Sequence, residues 1–214
     1  MDLLRWLYEA SIPVAGYELH WLELIGVLFG LGSAIGGLRR RVWAWPIGII
    51  GNVLLFFVYI TVTFDQADGR APLFGQSGRQ IFFILTSIYG WWKWLHGGSG
   101  GELPVRFSPP RLLIASAAAA TVVALGYGWL LLRFTDAYAP FLDSVVLAFS
   151  VLGQLLMMER RVENWWAWLL VNTIAVPLYA SRDLYLTAVL YAAFWINAVV
   201  SLRKWTALAR ASPG

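Results

Sequence analysis

The chain has 214 residues, of which 59% are hydrophobic and 13% are charged, and its formal net charge is +4. Soluble domains carry roughly 25% charged residues, so this composition, with a mean hydropathy of +0.65, excludes an ordinary soluble protein. The sequence contains no cysteine and only two histidines, His20 and His96, which excludes disulfides, thiol chemistry and metal sites built from cysteine or clustered histidine.

The first ten residues, Met1 to Ala10, are too short and too charged for a signal peptide and lack a cleavage site of small residues. They are typical of an amphipathic helix that lies in the membrane interface. We therefore predict that residues 1–20 form an interfacial N-terminal segment.

Seven apolar stretches follow, several of them 18 to 21 residues long, which suffices for a hydrocarbon core of roughly 30 Å. Residues 42–64 and 112–132 contain no charged side chain. The sequence thus predicts an all-α membrane protein with seven transmembrane helices. Their predicted spans are 21–38, 43–63, 72–95, 111–133, 141–158, 164–181 and 183–202.

The basic residues divide unequally between the two sides of such a bundle. The N-terminal side would hold five of the 16 Lys and Arg residues and the opposite side the other eleven. Because the more basic side of a membrane protein faces the cytoplasm, we predict an external N-terminus and a cytoplasmic C-terminus. This explains the net positive charge without a nucleic-acid partner.

The chain repeats itself at an offset of 120 residues without a gap. The matched pairs are Arg40 with Arg160, Arg41 with Arg161, Val42 with Val162, Trp45 with Trp165, Asn52 with Asn172, Tyr59 with Tyr179, and Glu23 with Asp143. The third helices match at a shorter offset, which sets Lys93-Trp94 opposite Lys204-Trp205. The pattern predicts two three-helix repeats, 21–95 and 141–205.

Residues 96–134 separate the repeats and comprise a linker and a connecting helix. The linker begins with the flexible run Gly97 to Gly101 and ends with the stiff pair Pro109-Pro110. One extra helix between two triplets gives both the same orientation, so the sequence predicts parallel repeats of the kind found in SWEET-type transporters. Residues 206–214 are predicted to be a cytoplasmic tail.

Polar residues inside apolar helices are the candidates for a binding site, expected where the two halves meet. Trp165, Trp168 and Asn172 are spaced to share one helix face, and Trp45 and Asn52 repeat the separation of Trp165 from Asn172. An indole can stack on a flat ligand while an amide bonds its polar edge. The alternative is that each asparagine ties helices together. The predicted substrate-binding residues are Trp168, Asn172, Gln80, Asn52, Trp45, Tyr191, Asn197 and Trp165.

Other polar residues have simpler interpretations. Gln154 is a weaker candidate for substrate contact, and Arg79 is expected to reach the outer interface or to pair with Asp143 or Glu23. Glu163 is expected to neutralise Arg160 or Arg161. We predict no cofactor, no metal and no catalytic residue.

In these residues the chain resembles the PnuC-type vitamin transporters, which import nicotinamide riboside. The resemblance covers nearly the whole chain and rests on residues 17–23, 80–94, 136–144, 162–172 and 185–191. It implies a three-one-three arrangement of seven helices, a homotrimer in the bacterial inner membrane, facilitated diffusion of the unphosphorylated nucleoside, and trapping by a cytoplasmic kinase. Arg79 stands where the family pattern leads us to expect an apolar residue.

Several alternatives remain open from the sequence. Relatives that carry thiamine or riboflavin also bind flat heterocycles, so the residues specify the class of ligand better than the ligand. A different class is a seven-helix receptor for light or for a ligand. A retinal protein would need a Schiff-base lysine inside its last helix, whereas Lys204 is expected at the very end of that helix. A membrane enzyme would need a cluster of His, Cys or carboxylate side chains at one depth, and the acids here are scattered at helix ends.

Overall fold

The computed structural model describes residues 11–14, 17–64, 74–97, 103–135, 138–181 and 185–211. They form a two-stranded antiparallel hairpin, β1 (Ser11–Val14) with β2 (Tyr17–His20), followed by seven α-helices. The helices are α1 (Trp21–Leu38), α2 (Ala44–Phe64), α3 (Phe74–His96), α4 (Pro110–Phe134), α5 (Pro140–Met158), α6 (Asn164–Ala180) and α7 (Tyr185–Ala211). The predicted seven helices are confirmed, whereas the hairpin was not predicted. The segment predicted as an interfacial helix, residues 1–10, lies outside the described residues.

The ends of the first six helices agree with the predicted spans to within two residues. The seventh helix does not end at residue 202, as predicted, but continues to Ala211. Its extension contains residues that favour helix, and Trp205 within it is completely buried. Hydropathy cannot detect this extension because tertiary packing, and not the membrane, stabilises it.

Among the residues that the structure describes, two helices, Pro110–Phe134 and Pro140–Met158, are both long enough and apolar enough to cross a membrane. Shorter apolar segments occur at Leu24–Leu38 and Ala44–Ile60. Large apolar side chains are exposed along α4, including Ile114, Val122 and Phe134. Exposed apolar surface of this extent suits contact with lipid.

The chain divides into two compact units, Met1–Trp92 and Lys93–Gly214. In the first unit, α1 and α2 approach closely through small residues. A Cβ added to Gly26 would lie 3.0 Å from Cγ of Leu55, and one added to Gly51 would lie 3.0 Å from the carbonyl oxygen of Gly26. The Ser33 hydroxyl donates a hydrogen bond of 2.8 Å to the carbonyl of Ala44. Small residues commonly allow membrane helices to pack in this way.

Trp45 at the start of α2 packs directly on the backbone of α3. A Cβ added to Gly90 would lie 2.5 Å from Cη2 of the Trp45 ring, and Trp45 is buried. Only glycine leaves room for the indole at this position. The contact fixes α3 relative to α2 within the first unit.

We therefore expect Gly90→Ala to destabilise the protein, although alanine is the better helix former. Overpacking costs about 1–3 kcal/mol, which exceeds the roughly 0.8–1.0 kcal/mol gained in helix propensity at most. Gly78→Ala is the matched control, because a Cβ at Gly78 of the same helix meets nothing within 4 Å. Thermal unfolding in detergent should show a lower Tm for Gly90→Ala only. An equal or higher Tm for Gly90→Ala would contradict the contact.

In the second unit, α5 packs against α4 and α6, and α7 packs against α6. Ala120 of α4 joins Leu152 and Leu156 of α5 in a buried cluster. At the other end of this pair, a Cβ on Gly128 would lie 2.5 Å from the Phe141 ring, so the two helices meet closely there as well. Of the two helices that are long and apolar enough to cross a membrane, α5 is therefore the more buried.

The turns before α2 and α6 have the same backbone conformation, as the repeat predicts. Arg40 and Arg160 both have positive φ, 56° and 48°. The amide of Arg41 bonds the carbonyl of Gly36 at 2.9 Å, and the amide of Arg161 bonds that of Leu156 at 3.0 Å. The helices that follow also begin with equivalent hydrogen bonds, from the Ala44 amide to the Arg41 carbonyl and from the Asn164 amide to the Arg161 carbonyl. The sequence repeat is therefore also a repeat of local structure.

The second half of the linker is not a free spacer. Residues 103–109, which we call the strap, lie against the turn between α5 and α6. The Arg106 amide donates to the Arg160 carbonyl at 3.2 Å, and the Val162 amide donates to the Arg106 carbonyl at 3.1 Å. The Ser108 amide and hydroxyl donate to the Glu163 carboxylate at 3.0 and 2.8 Å. The strap therefore belongs to the second unit.

Candidate functional site

Helix α6 carries the three predicted side chains Trp165, Trp168 and Asn172, and their surroundings differ along the helix. Trp165, in the first turn, is 4% exposed and its ring meets the edge of Trp205 at 5.4 Å. Trp205 also contacts Trp94, at 6.2 Å. Trp165 therefore belongs to a buried aromatic cluster with Trp205 and Trp94. Its ring packs against protein side chains.

Trp168 is placed differently, one turn further into the helix. It is half-buried, and its indole lies against α5, where Cε2 and Nε1 would be 3.1 Å from a Cβ added to Gly153. Asn172 follows one turn later and is 3% exposed. The absence of a side chain at Gly153 thus leaves room for the Trp168 ring. The sequence patterns did not predict this role for Gly153.

Helix α7 contributes Tyr191 and Asn197, which are both half-buried. The Tyr191 ring lies 5.1 Å from that of Tyr179 on α6 with a tilt of 31°, so α6 and α7 share an aromatic pair. The Trp195 indole N–H donates a hydrogen bond of 3.0 Å to the Thr173 hydroxyl, next to Asn172. Neither contact was predicted from the sequence, although the repeat pairs Tyr179 with Tyr59.

In the first unit, the predicted residues lie on α2 and α3. Trp45 is buried on Gly90, Asn52 is half-buried, and Gln80 is 4% exposed. Two further polar residues of α3, Ser77 and Ser87, are also buried. Their spacing puts Gln80, Ser77 and Ser87 on one face of the helix, since residues three or seven apart lie on the same side.

The remaining polar candidates are distributed as follows. Gln154 is buried on α5, beside Gly153, and Arg79 is half-buried in the second turn of α3. The Glu23 side chain lies outside the described residues, so that partner of Arg79 stays a prediction. Glu163 accepts hydrogen bonds from Ser108 of the strap, an engagement the sequence did not predict.

The charges of the second unit gather around the turn between α5 and α6. The Lys93 ammonium donates to the Glu159 carboxylate, and Arg106 lies 3.9 Å from the same carboxylate. Burial, and then the charge of Arg106, lower the pKa of Arg161, while Glu159 and Glu163 raise it. Trp168 and Asn172, further along α6, are themselves uncharged.

The described residues contain no cluster of three or more side chains that could hold a metal ion. Of the acidic residues that the structure describes, none lies in the interior of a helix: Glu18 is in β2, Glu23 and Asp143 are in first turns, and Glu159 and Glu163 flank α5 and α6. The functional groups of the candidate site residues are therefore indole, phenol and amide groups. Such a set binds flat, partly polar molecules by stacking and hydrogen bonding.

Comparison with known proteins identifies several similar sequences. The family model for nicotinamide mononucleotide transporters matches residues 20–207. The nicotinamide riboside transporter PnuC of Escherichia coli is 27% identical over 230 residues, covering 95% of this chain and 92% of the relative. The riboflavin/roseoflavin transporter RibM of Streptomyces davaonensis is 24% identical over 206 residues, covering 94% and 92%.

Among solved structures, the crystal structure of the vitamin B3 transporter PnuC is similar, with a TM-score of 0.68 and 21% sequence identity. The match covers 90% of this chain and 83% of that one. The seven-helix fold described above is therefore a fold already observed in a transporter.

Proposed function

The chain belongs to the nicotinamide mononucleotide transporter family, and from this membership we propose that it imports nicotinamide riboside across the bacterial inner membrane. The observation that carries the proposal is the uncharged indole–amide pair of α6, Trp168 on Gly153 followed by the buried Asn172. Nicotinamide riboside has a cationic pyridinium ring, which suits an aromatic face. Its carboxamide can pair with a side-chain amide.

The unphosphorylated nucleoside fits these residues better than the mononucleotide. All eight predicted substrate-binding residues are uncharged. Burying a phosphate requires positive partners such as arginine, because an unpaired charge is costly to remove from water. The described cation that is closest in sequence to these residues is Arg79, beside Gln80. Arg79 is expected to reach the outer interface or to pair with an acidic residue, so it is not counted as a phosphate partner. We therefore propose that the mononucleotide binds weakly or not at all.

Trp168 and Asn172 are the leading substrate-binding residues of this proposal. We also propose Tyr191 and Asn197 of the same unit as substrate-binding residues, and separately Trp45, Asn52 and Gln80 of the first unit. Trp165 takes a supporting role because its ring already contacts Trp205.

Facilitated diffusion is the mode of transport that the distribution of charge supports. Transporters coupled to protons or sodium usually carry ionisable side chains within the membrane. In the part of the chain that the structure describes, the acidic residues lie in β2 and at helix ends. Net uptake would then require a cytoplasmic kinase that phosphorylates the nucleoside and traps it.

The decisive experiment is uptake of labelled nicotinamide riboside into proteoliposomes. Unlabelled nicotinamide riboside should compete, while the mononucleotide, thiamine and riboflavin should compete at least tenfold less well. Uptake should stop when internal and external concentrations are equal. Stronger competition by riboflavin would favour the alternative that RibM represents, and uptake that requires an ion gradient would contradict facilitated diffusion.

We expect Trp168→Ala to weaken nicotinamide riboside binding about tenfold, since stacking on an aromatic ring contributes about 0.5–2 kcal/mol and the variant also loses the flat wall. Trp166→Ala is the matched control, because the neighbouring Trp166 is 62% exposed. Isothermal titration of both purified variants measures the difference. Equal affinities in the two variants would remove Trp168 from the proposed site.

The proposed orientation, with the C-terminus in the cytoplasm, can be tested because the chain has no cysteine. Ser181→Cys, after α6, should react with an impermeant maleimide in intact cells. Ala211→Cys, at the end of α7, should react only after the membrane is permeabilised. The reverse pattern would mean that the orientation is inverted.

The homotrimer and the three-one-three arrangement of parallel repeats belong to the same proposal. The matching turns at Arg40 and Arg160 support the repeat. Light scattering of the detergent-solubilised protein would measure the number of subunits.

A further inference from the structure

A cleft of about 470 Å³ lies beside the last turns of α7, away from Trp168 and Asn172. The strap and the first turns of α6 form its other walls. The residues that line it are Phe107, Val162, Glu163, Trp166, Leu202, Arg203, Thr206, Ala207 and Arg210. None of them is among the proposed substrate-binding residues.

The cleft has an apolar wall and a basic rim. Phe107, Val162 and Trp166 form much of the apolar wall, and the Trp166 side chain is 62% exposed. Arg203 and Arg210 stand on the rim, both exposed and seven residues apart, so they project from one face of α7. The rim can therefore bind an anion while the wall accommodates hydrocarbon.

One acidic residue, Glu163, lines the cleft, but its carboxylate is already engaged. It accepts hydrogen bonds of 3.0 Å from the Ser108 amide and 2.8 Å from the Ser108 hydroxyl. Two arginines and this single carboxylate line the cleft, so the lining is net positive. Charge complementarity thus favours an anionic occupant.

The length of α7 supports a position for the cleft near the membrane surface. Helix α7 has 27 residues and is roughly 40 Å long, which exceeds a hydrocarbon core of roughly 30 Å. A helix of this length that crosses the membrane along its normal carries its last turns, with Arg203 and Arg210, into the headgroup region. Tryptophans such as Trp166 are enriched at this level.

We propose that this cleft binds one anionic phospholipid, with the phosphodiester held by Arg203 and Arg210 and an acyl chain lying along Trp166 and Phe107. A soluble phosphate would use the arginines but leave the apolar wall exposed to water. Basic pockets beside membrane helices bind anionic headgroups by the same combination of forces. The inference does not depend on the substrate of the transporter.

Native mass spectrometry of the full chain, titrated with phosphatidylglycerol, phosphatidylcholine or glycerol phosphate, tests the proposal. Wild-type protein should retain phosphatidylglycerol at least about tenfold more tightly than either of the other two. The double variant Arg203→Gln/Arg210→Gln should lose this preference. The control Arg111→Gln/Arg133→Gln removes two exposed cations at the ends of α4 and should retain it.

A second variant leaves the charges unchanged. Ala207→Trp fills the cleft and should also weaken phosphatidylglycerol binding about tenfold, in protein that elutes from gel filtration like the wild type. Equal binding of phosphatidylcholine would overturn the proposal, as would wild-type binding by both cleft variants. Glycerol phosphate that binds as tightly as the lipid would identify the cleft as a soluble-anion site instead.

Discussion

Asn172→Ala should weaken nicotinamide riboside binding by about tenfold or more. The Asn172 side chain is 3% exposed, so its amide has little access to water. Losing the partner of a buried polar group costs roughly 1–3 kcal/mol, and each 1.4 kcal/mol is a factor of ten in affinity. Isothermal titration of the purified variant measures the loss.

A substrate analogue without the carboxamide separates direct pairing from indirect damage. If Asn172 bonds the carboxamide, the analogue should bind wild-type protein about tenfold more weakly than nicotinamide riboside does, and Asn172→Ala should bind both ligands equally. Thr173→Ala is a control on the same helix, since the exposed Thr173 bonds Trp195 and not the proposed ligand. Unchanged affinity in Asn172→Ala would mean that the amide only holds helices together.

The positions of the helices could be predicted because hydropathy and turn residues report directly on local structure. The repeat could be predicted for the same reason. The matching sequences around Arg40 and Arg160 form turns with the same backbone conformation, including the positive φ. The hairpin at residues 11–20 could not be predicted in this way. Each strand has only four residues, too few for an alternating pattern to be recognised.

The surroundings of Trp165 illustrate what sequence periodicity leaves out. Its spacing from Trp168 and Asn172 correctly puts the three residues on one face of α6. The partner of its ring, Trp205, lies beyond residue 202, where the seventh helix was predicted to end. Because that helical extension was not predicted, neither was the packing role that Trp165 takes. Periodicity describes the helix that carries a residue and not the neighbour that covers it.

The strap is a similar case. Glycine, serine and proline in residues 97–110 predict a spacer, and composition alone cannot reveal that its second half is anchored. The anchor consists of non-local hydrogen bonds, such as those from Ser108 to Glu163, which join residues that are far apart in the sequence. Arg160 is central to this anchor. It is 1% exposed, its guanidinium donates to the carbonyl of Leu103, and it lies 4.1 Å from the centroid of the Trp94 ring.

Arg160→Ala should therefore be strongly destabilising, by about 2–4 kcal/mol. A buried cation–π contact contributes up to about 2 kcal/mol, and the abandoned carbonyl of Leu103 adds roughly 1–3 kcal/mol. Arg40→Ala is the matched control. Its backbone has the same positive φ, so both variants carry the same cost of placing alanine there, while the Arg40 side chain is only half-buried.

Thermal unfolding in one detergent should show a fall in Tm several times larger for Arg160→Ala than for Arg40→Ala. Amide hydrogen exchange should locate the damage, with faster exchange at Val105 and Arg106 of the strap only in Arg160→Ala. Equal falls in Tm would mean that the backbone conformation dominates at both positions. Arg160 holds the strap, the turn before α6 and the Trp94 ring together, so we expect its removal to cause the larger fall in Tm, although the turn at Arg40 has the same positive φ.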